Sequence, residues 1–272
     1  MERPLISIII PAYNESARIG KALDEVLRCV HERDWPAEIL VVNDGSTDRT
    51  AAIVQELAEL HPEVRLLNNP ENRGKGFSVR QGVLHAVGDM VMFTDADLSA
   101  PMEEAERLLA AIADGADVAI GSRWMDKTRQ TIHQPLYRRF FGRCFNWVTR
   151  MVMGLPFKDT QCGFKAFKRE AAQVIFRLQR IERWGFDPEI LFIARKLGYD
   201  IREVPVTWGH DERSRMSYLK DGMKMLEEMA AIRANSLAGR YDEDIAALKD
   251  TSTMVTPPVQ QVKVSPRPQA NG

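Results

Sequence analysis

At 272 residues, 44% hydrophobic and 28% charged, the chain is long enough for a sizeable core and is of ordinary globular composition. A formal net charge of −1 gives no reason to expect nucleic acid as a partner. Three widely spaced cysteines (Cys29, Cys144, Cys162) argue against a disulfide framework and for a reducing compartment, and no pair of them has metal-ligand spacing.

Residues 5–10 form an aliphatic, β-branched run closed by Pro11, which predicts a short buried strand. Asn14-Glu15-Ser16 is expected to open a helix, with Ile19, Leu23, Val26, Leu27 and Val30 on one face at helical spacing. Residues 39–42 read as a second strand stopped by Asn43-Asp44-Gly45-Ser46, and Ser46 or Thr47 is a suitable cap for the next helix. A third strand over residues 64–67 is followed by Asn72-Arg73-Gly74-Lys75-Gly76 and a helix through Val79, Val83 and Val87. Residues 90–94 form a fourth strand ending in Asp95-Ala96-Asp97, and residues 118–120 a fifth, closed by Gly121-Ser122-Arg123. Strands alternating with helices imply βαβ units and a mostly parallel, doubly wound sheet.

After Ser122 the pattern changes. Residues 123–150 carry seven basic residues against the single acid Asp126, a local charge of +6, interleaved with Trp124, Tyr137, Phe140, Phe141, Phe145 and Trp147. One reading is an amphipathic helix at a membrane interface; the other is a core-packing helix whose arginines face water. Asp159-Thr160-Gln161-Cys162-Gly163-Phe164-Lys165 is a polar turn before a strand and helix, and Arg183-Trp184-Gly185-Phe186-Asp187 leads into another helix. Residues 201–208 alternate as a strand, 209–217 are polar, and 217–235 read as a helix. The expected division is a domain over residues 1–235, with halves 1–122 and 123–235. A C-terminal extension covers 236–272; its prolines and polar residues predict disorder from about residue 251.

If the first, second and fourth strands are neighbours, Pro11 to Glu15, Asp44 and Asp95-Ala96-Asp97 emerge on one edge, where open α/β sheets bind ligands. Two carboxylates released there suit Mg²⁺ or Mn²⁺, which would neutralise a diphosphate; the alternative is a turn with two solvated acids. Asp44 is suited to accept hydrogen bonds from a base imide or ribose, or serves as a turn and helix cap. Gly74-Lys75-Gly76 lacks P-loop spacing.

Ile10-Pro11-Ala12-Tyr13-Asn14-Glu15, Val42-Asn43-Asp44-Gly45-Ser46-Thr47-Asp48, Asn72-Arg73-Gly74-Lys75-Gly76 and Asp95-Ala96-Asp97 together resemble the ordered motifs of family 2 glycosyltransferases of the GT-A fold. Gly121-Ser122-Arg123, the segment 159–165 and Glu182-Arg183-Trp184-Gly185-Phe186-Asp187 resemble the dolichyl-phosphate β-glucosyltransferase branch, and the likeness spans about residues 5 to 235. The resemblance implies a nucleotide-binding N-terminal half and an acceptor-binding C-terminal half. It places Pro11, Tyr13, Glu15, Asp44, Lys75, Asp95 and Ala96 at the nucleotide, and Asp95 and Asp97 at the metal. Arg123 would lie near the reacting phosphates, with Asp97 and Asp159 the other residues expected to take part in catalysis, Asp159 either as a general base or as a sugar or acceptor contact. Arg138, Arg139, Gln161, Trp184, Asp187, Ser214 and Arg215 would serve the acceptor or the donor loop; at Arg215 relatives carry lysine, so the charge is kept but not its geometry.

The implied reaction is inverting transfer of a hexose, glucose foremost, from a UDP-sugar to a polyprenyl phosphate. A glycosyltransferase for a soluble acceptor and a non-catalytic nucleotide-sugar binder are the competing readings. A strand pattern begins close to Met1, leaving no room for a signal peptide, and no apolar run approaches the roughly 20 residues of a spanning helix. The expectation is a cytoplasmic protein, peripheral on the cytosolic face of a membrane.

Overall fold

A computed structural model describes residues 4–126, 136–209, 218–251 and 263–264. Its elements in chain order are β1 (Ile6–Ala12), α1 (Ile19–Glu32), β2 (Ala37–Asn43), α2 (Thr50–Leu60), β3 (Val64–Asn68), α3 (Lys75–His85), β4 (Met90–Phe93), α4 (Ala105–Ala113), β5 (Val118–Ser122) and α5 (Leu136–Met153). They continue with β6 (Lys165–Lys168), α6 (Arg169–Leu178), α7 (Phe186–Lys196), β7 (Ile201–Pro205), α8 (Tyr218–Leu237), α9 (Arg240–Thr251) and the two-residue β8 (Lys263–Val264).

All the strands join one mixed sheet in the order β7-β5-β6-β4-β1-β2-β3-β8. Strands β4, β1, β2 and β3 are parallel neighbours, as are β5 and β7. The run Ile8-Ile9-Ile10 is fully buried because its alternating side chains serve two cores. Ile8 and Ile10 pack with residues of α1, α2 and α4, whereas Ile9 packs with residues of α3, α6 and α7. The sheet is therefore covered on both faces.

One topological feature shapes the site. Strand β6, from the second half of the chain, is inserted antiparallel between β4 and β5, with Lys165 opposite both Phe93 and Ile120. Because β6 runs backwards, its beginning lies at the edge where β4 and β5 end. The turn 159–164 is thereby delivered beside Asp95.

Two helix starts differ from the sequence expectation. Helix α1 begins at Ile19, not at residues 14–16, and Asn14 takes a positive φ of 54°. The backbone N–H groups of Asn14, Glu15 and Ser16 donate instead to Ser46 Oγ (2.9 Å), Thr50 Oγ1 (2.7 Å) and Asp48 Oδ2 (3.1 Å). Ser46 is therefore occupied across the loops, and α2 starts later, at Thr50, whose N–H is taken by Asp48 (2.9 Å). The cap-competent side chains bind the first two strand ends to each other.

Helix α9 lies in the segment assigned to the C-terminal extension. Its Tyr241 is fully buried, and Ile245 and Leu248 pack on the same core. Tyr241 donates its hydroxyl to Glu189 (2.6 Å), which also accepts the N–H groups of Arg180 (3.0 Å) and Ile181 (2.8 Å). Burial pushes the Glu189 carboxyl up to about 7, its hydrogen bonds opposing part of the shift. The folded state thus holds this proton more tightly than the unfolded state. The stabilisation is complete below the unfolded value near 4.5 and is lost as pH rises through about 7. Relative to Glu189→Gln, the wild type should lose roughly 3 kcal/mol of stability across that window. Denaturant titrations of both proteins at pH 4.5 and pH 8 measure the difference.

Candidate active site

The carboxyl ends of β1, β2, β4 and β5 and the start of β6 meet at one edge of the sheet. Asp44, just beyond β2, is buried and its carboxylate accepts three protein donors, Asn69 Nδ2 (2.9 Å) and the Arg73 N–H (3.1 Å) on Oδ1 and the Gly74 N–H (2.8 Å) on Oδ2. Gly74 adopts φ 116°, and a Cβ there would stand 2.7 Å from the carbonyl oxygen of Glu182, so the loop needs glycine. Asp44 thus shapes the loop that carries Lys75. Arg73 pairs with Glu182 and lies 3.9 Å over the Phe77 ring, binding this loop to the segment before α7.

Asp95 and Asp97 come after β4 in a turn that needs Leu98 at φ 47°. Asp97 accepts the Ser99 N–H (3.0 Å), and Asp95 pairs with Lys75. Burial, then the neighbouring Asp95 charge, raises the proton affinity of Asp97. Burial would lower that of Lys75, but Asp95, Asp187 and Asp97 outweigh it and hold the ammonium charged. Two carboxylates at a strand end, one of them short of positive charge, fit a hard divalent cation. Among the described residues no cluster of three or more His, Cys, Asp or Glu could hold a metal. Asp95 and Asp97 would supply protein ligands to the shell, beside phosphate oxygens and water.

Beside this pair stands a second charged unit. Arg123 donates its Nε (2.7 Å), an Nη (2.8 Å) and its backbone N–H (3.0 Å) to Asp159, which also accepts the Gln161 N–H (3.2 Å). Burial alone would raise the carboxyl of Asp159, yet the guanidinium holds it below the usual carboxylate range. Its oxygens are thus committed to Arg123, a geometry that suits a positioning carboxylate and leaves no lone pair reserved for a general base. The Cys162 thiol, pushed up to about 12 by burial and then by Asp159, is inert. Gln161 Nε2 is buried with no hydrogen-bond partner among the described residues, which marks a place for a polar ligand atom.

Lys165 is a further charged residue of the site, beyond those the motifs point to. It is fully buried at the start of β6, donates to the Cys162 carbonyl (2.6 Å) and pairs with Asp187. A signal was present: a lysine between Phe164 and Ala166-Phe167, in a strand that must be buried, needs an acid partner. Charges thus alternate through Asp95, Lys75, Asp187 and Lys165, and each acid has a cation beside it.

The remaining candidates are spread around this core. Glu15 pairs with Arg18 (2.7 Å), Pro11 lies in register with Val42, and Ala96 is buried. Tyr13 and Trp184 are exposed at the rim, with Lys75 Nζ 5.8 Å from the Trp184 ring. Arg138 and Arg139 lie on α5, and Ser214 and Arg215 lie outside the described residues.

Gly163 marks the tightest approach. A Cβ there would stand 2.3 Å from Asp95 Oδ2 and 2.8 Å from its Cγ. Gly163→Ala should displace that carboxylate and lower kcat/KM on the order of 10²-fold, the effect of an ångström-scale misplacement. Steady-state kinetics beside a thermal melt should show lost activity with the fold retained.

The model of glycosyl transferase family 2 matches residues 7–176. The chain belongs to that family. As a family 2 glycosyltransferase, it is 38% identical over 246 residues to a dolichyl-phosphate beta-glucosyltransferase of Trichomonas vaginalis, covering 86% of this chain and 72% of the relative. The dolichyl-phosphate beta-glucosyltransferase of Saccharomyces cerevisiae is 35% identical over 263 residues, covering 89% and 78%. Glucosyl-3-phosphoglycerate synthase of Mycobacterium tuberculosis, solved with Mn²⁺, UDP-glucose and phosphoglyceric acid, superposes with a TM-score of 0.61 at 21% identity, covering 84% of this glycosyltransferase and 78% of that chain. The architecture is the GT-A fold, as the sequence motifs implied.

Proposed function

We propose that this glycosyltransferase transfers glucose from UDP-glucose to a polyprenyl monophosphate, with inversion at the anomeric carbon. The observation that carries the reading is the pairing at one sheet edge of an acidic Asp95/Asp97 turn with a half-buried Arg123 pinned by Asp159. Such a site suits a metal-bound diphosphate and a second anion side by side. The similarity to dolichyl-phosphate beta-glucosyltransferases supports the choice of glucose and of a lipid phosphate.

In this reading Pro11, Tyr13, Glu15 and Ala96 line the nucleotide, with Asp44 acting on it through the Lys75 loop. Asp95 and Asp97 would hold Mg²⁺ or Mn²⁺, which when bound supplies positive charge to the departing diphosphate. An acceptor phosphate oxygen forms the new bond to C1 as the bond from C1 to the UDP oxygen breaks, and UDP leaves with the electron pair. A phosphate monoester has a second pKa of about 6 and is largely dianionic near pH 7, so it attacks without a general base. The committed carboxylate of Asp159 agrees with that chemistry. Arg123 orients the acceptor anion and offsets its repulsion from the donor. Gln161, Trp184 and Asp187 border the sugar and acceptor, Arg138 and Arg139 assist with the acceptor phosphate, and the family resemblance assigns Ser214 and Arg215 to the donor. A lipid acceptor makes the protein a peripheral one on the cytosolic face of a membrane.

A matrix of nucleotide sugars against polyprenyl phosphates and small phosphorylated or saccharide acceptors tests the proposal, with products identified by mass. The expected product is a hexosyl phosphate lipid from UDP-glucose. Transfer confined to water-soluble acceptors would overturn the acceptor assignment.

A further inference from the structure

Helix α5 carries four arginines (Arg138, Arg139, Arg143, Arg150) and no acid, in a chain whose net charge is −1. Its inner side is settled by Asn146, Thr149 and Met153, all buried. Trp147 and Met151, one turn apart, face outward at 60% and 66% exposure. Both are large apolar groups where a water-facing helix would carry polar ones. No described helix is long and apolar enough to cross a membrane.

We propose that α5 lies flat on an anionic lipid surface, with Trp147 and Met151 immersed and the positive charge of the helix set against the headgroups. Charge decides the occupant. A second copy would set one acid-free arginine helix against another, whereas anionic headgroups complement it. A nucleic acid would engage the arginines but leave the apolar stripe in water.

The helix is also joined to the active site. Asn146 donates to the Lys158 carbonyl (2.5 Å) and accepts from the N–H (3.3 Å) and hydroxyl (3.1 Å) of Thr160, next to the Asp159 that holds Arg123. A docked α5 therefore brings the arginine of the acceptor site to the surface where a lipid phosphate resides. This use of the surface rests on the polyprenyl-phosphate reading; the docking itself is measured without it.

The experiment is co-sedimentation of the full chain with phosphatidylcholine vesicles, with and without phosphatidylserine, at low and high salt. Wild type should bind the phosphatidylserine vesicles and release with salt, because the charge contribution is screened. The double variant Trp147→Ser, Met151→Ser should bind roughly tenfold more weakly, having lost its buried apolar area, with an unchanged melt. Its transfer to a short, water-soluble isoprenyl phosphate should match wild type, while transfer to long-chain polyprenyl phosphate in vesicles falls. Wild type that stays in the supernatant at low salt, or a double variant that sediments like wild type, overturns the proposal. So does a concentration-dependent dimer that the double variant abolishes, which would assign the stripe to a second copy. Docking that depends on Trp147 and Met151, without transfer to either acceptor, supports the surface and overturns the lipid-phosphate function instead.

Discussion

Asp97→Ala should reduce transfer on the order of 10²–10³-fold, the scale of removing one charge-stabilising contact from a transition state. The fold should not suffer. The Asp97 carboxylate is partly buried beside Asp95, and both its burial and that neighbour oppose its charge, so its removal relieves repulsion. The melting temperature of the variant should equal or exceed that of wild type. EDTA should silence the wild type to the same extent, and Mn²⁺ or Mg²⁺ should restore the wild type but not the variant. Activity assays with metal add-back, run beside melts, check each point. A variant that keeps full activity in metal-free buffer would remove the cation from this site.

The second large effect concerns Arg123 and Asp159. Arg123→Ala strands a fully buried carboxylate and should cost about 3–5 kcal/mol of stability as well as activity. That outcome alone would not separate support from chemistry. The double variant Arg123→Met, Asp159→Leu removes both charges together, and such replacements are commonly neutral or stabilising. It should regain most of the lost stability and remain inactive, with both kcat and acceptor KM affected. A stable double variant with normal turnover would make the pair structural only.

Much of the site was legible because buried parallel strands announce themselves as apolar runs, and the residues just past the end of such a run sit at the ligand edge. Asp95-Ala96-Asp97 after β4 and the neighbouring of β4, β1 and β2 were readable on that ground. The insertion of β6 between β4 and β5 was not, since antiparallel pairing across 70 or so residues leaves no local mark. With it went the contact of Gly163 with Asp95 and the burial of Lys165. The place of Asp44 past a strand end points to the nucleotide, while its second task, holding the loop through Asn69, Arg73 and Gly74, depends on contacts 25 to 30 residues away that leave no local mark. Asp159 is similar: a carboxylate in a polar turn can serve as a base until an arginine 36 residues away is found bound to both its oxygens. Helix α9 did leave a trace, in the i, i+4, i+7 spacing of Tyr241, Ile245 and Leu248, set among enough charge to obscure it.

The most direct test of the account is the structure of the product. The purified chain, given UDP-glucose, Mn²⁺ and a polyprenyl phosphate, should release one UDP for each glucosyl phosphate lipid formed, and proton NMR should show the β anomer. UDP with free glucose, or an α-linked lipid, would contradict direct attack by the acceptor phosphate at this site.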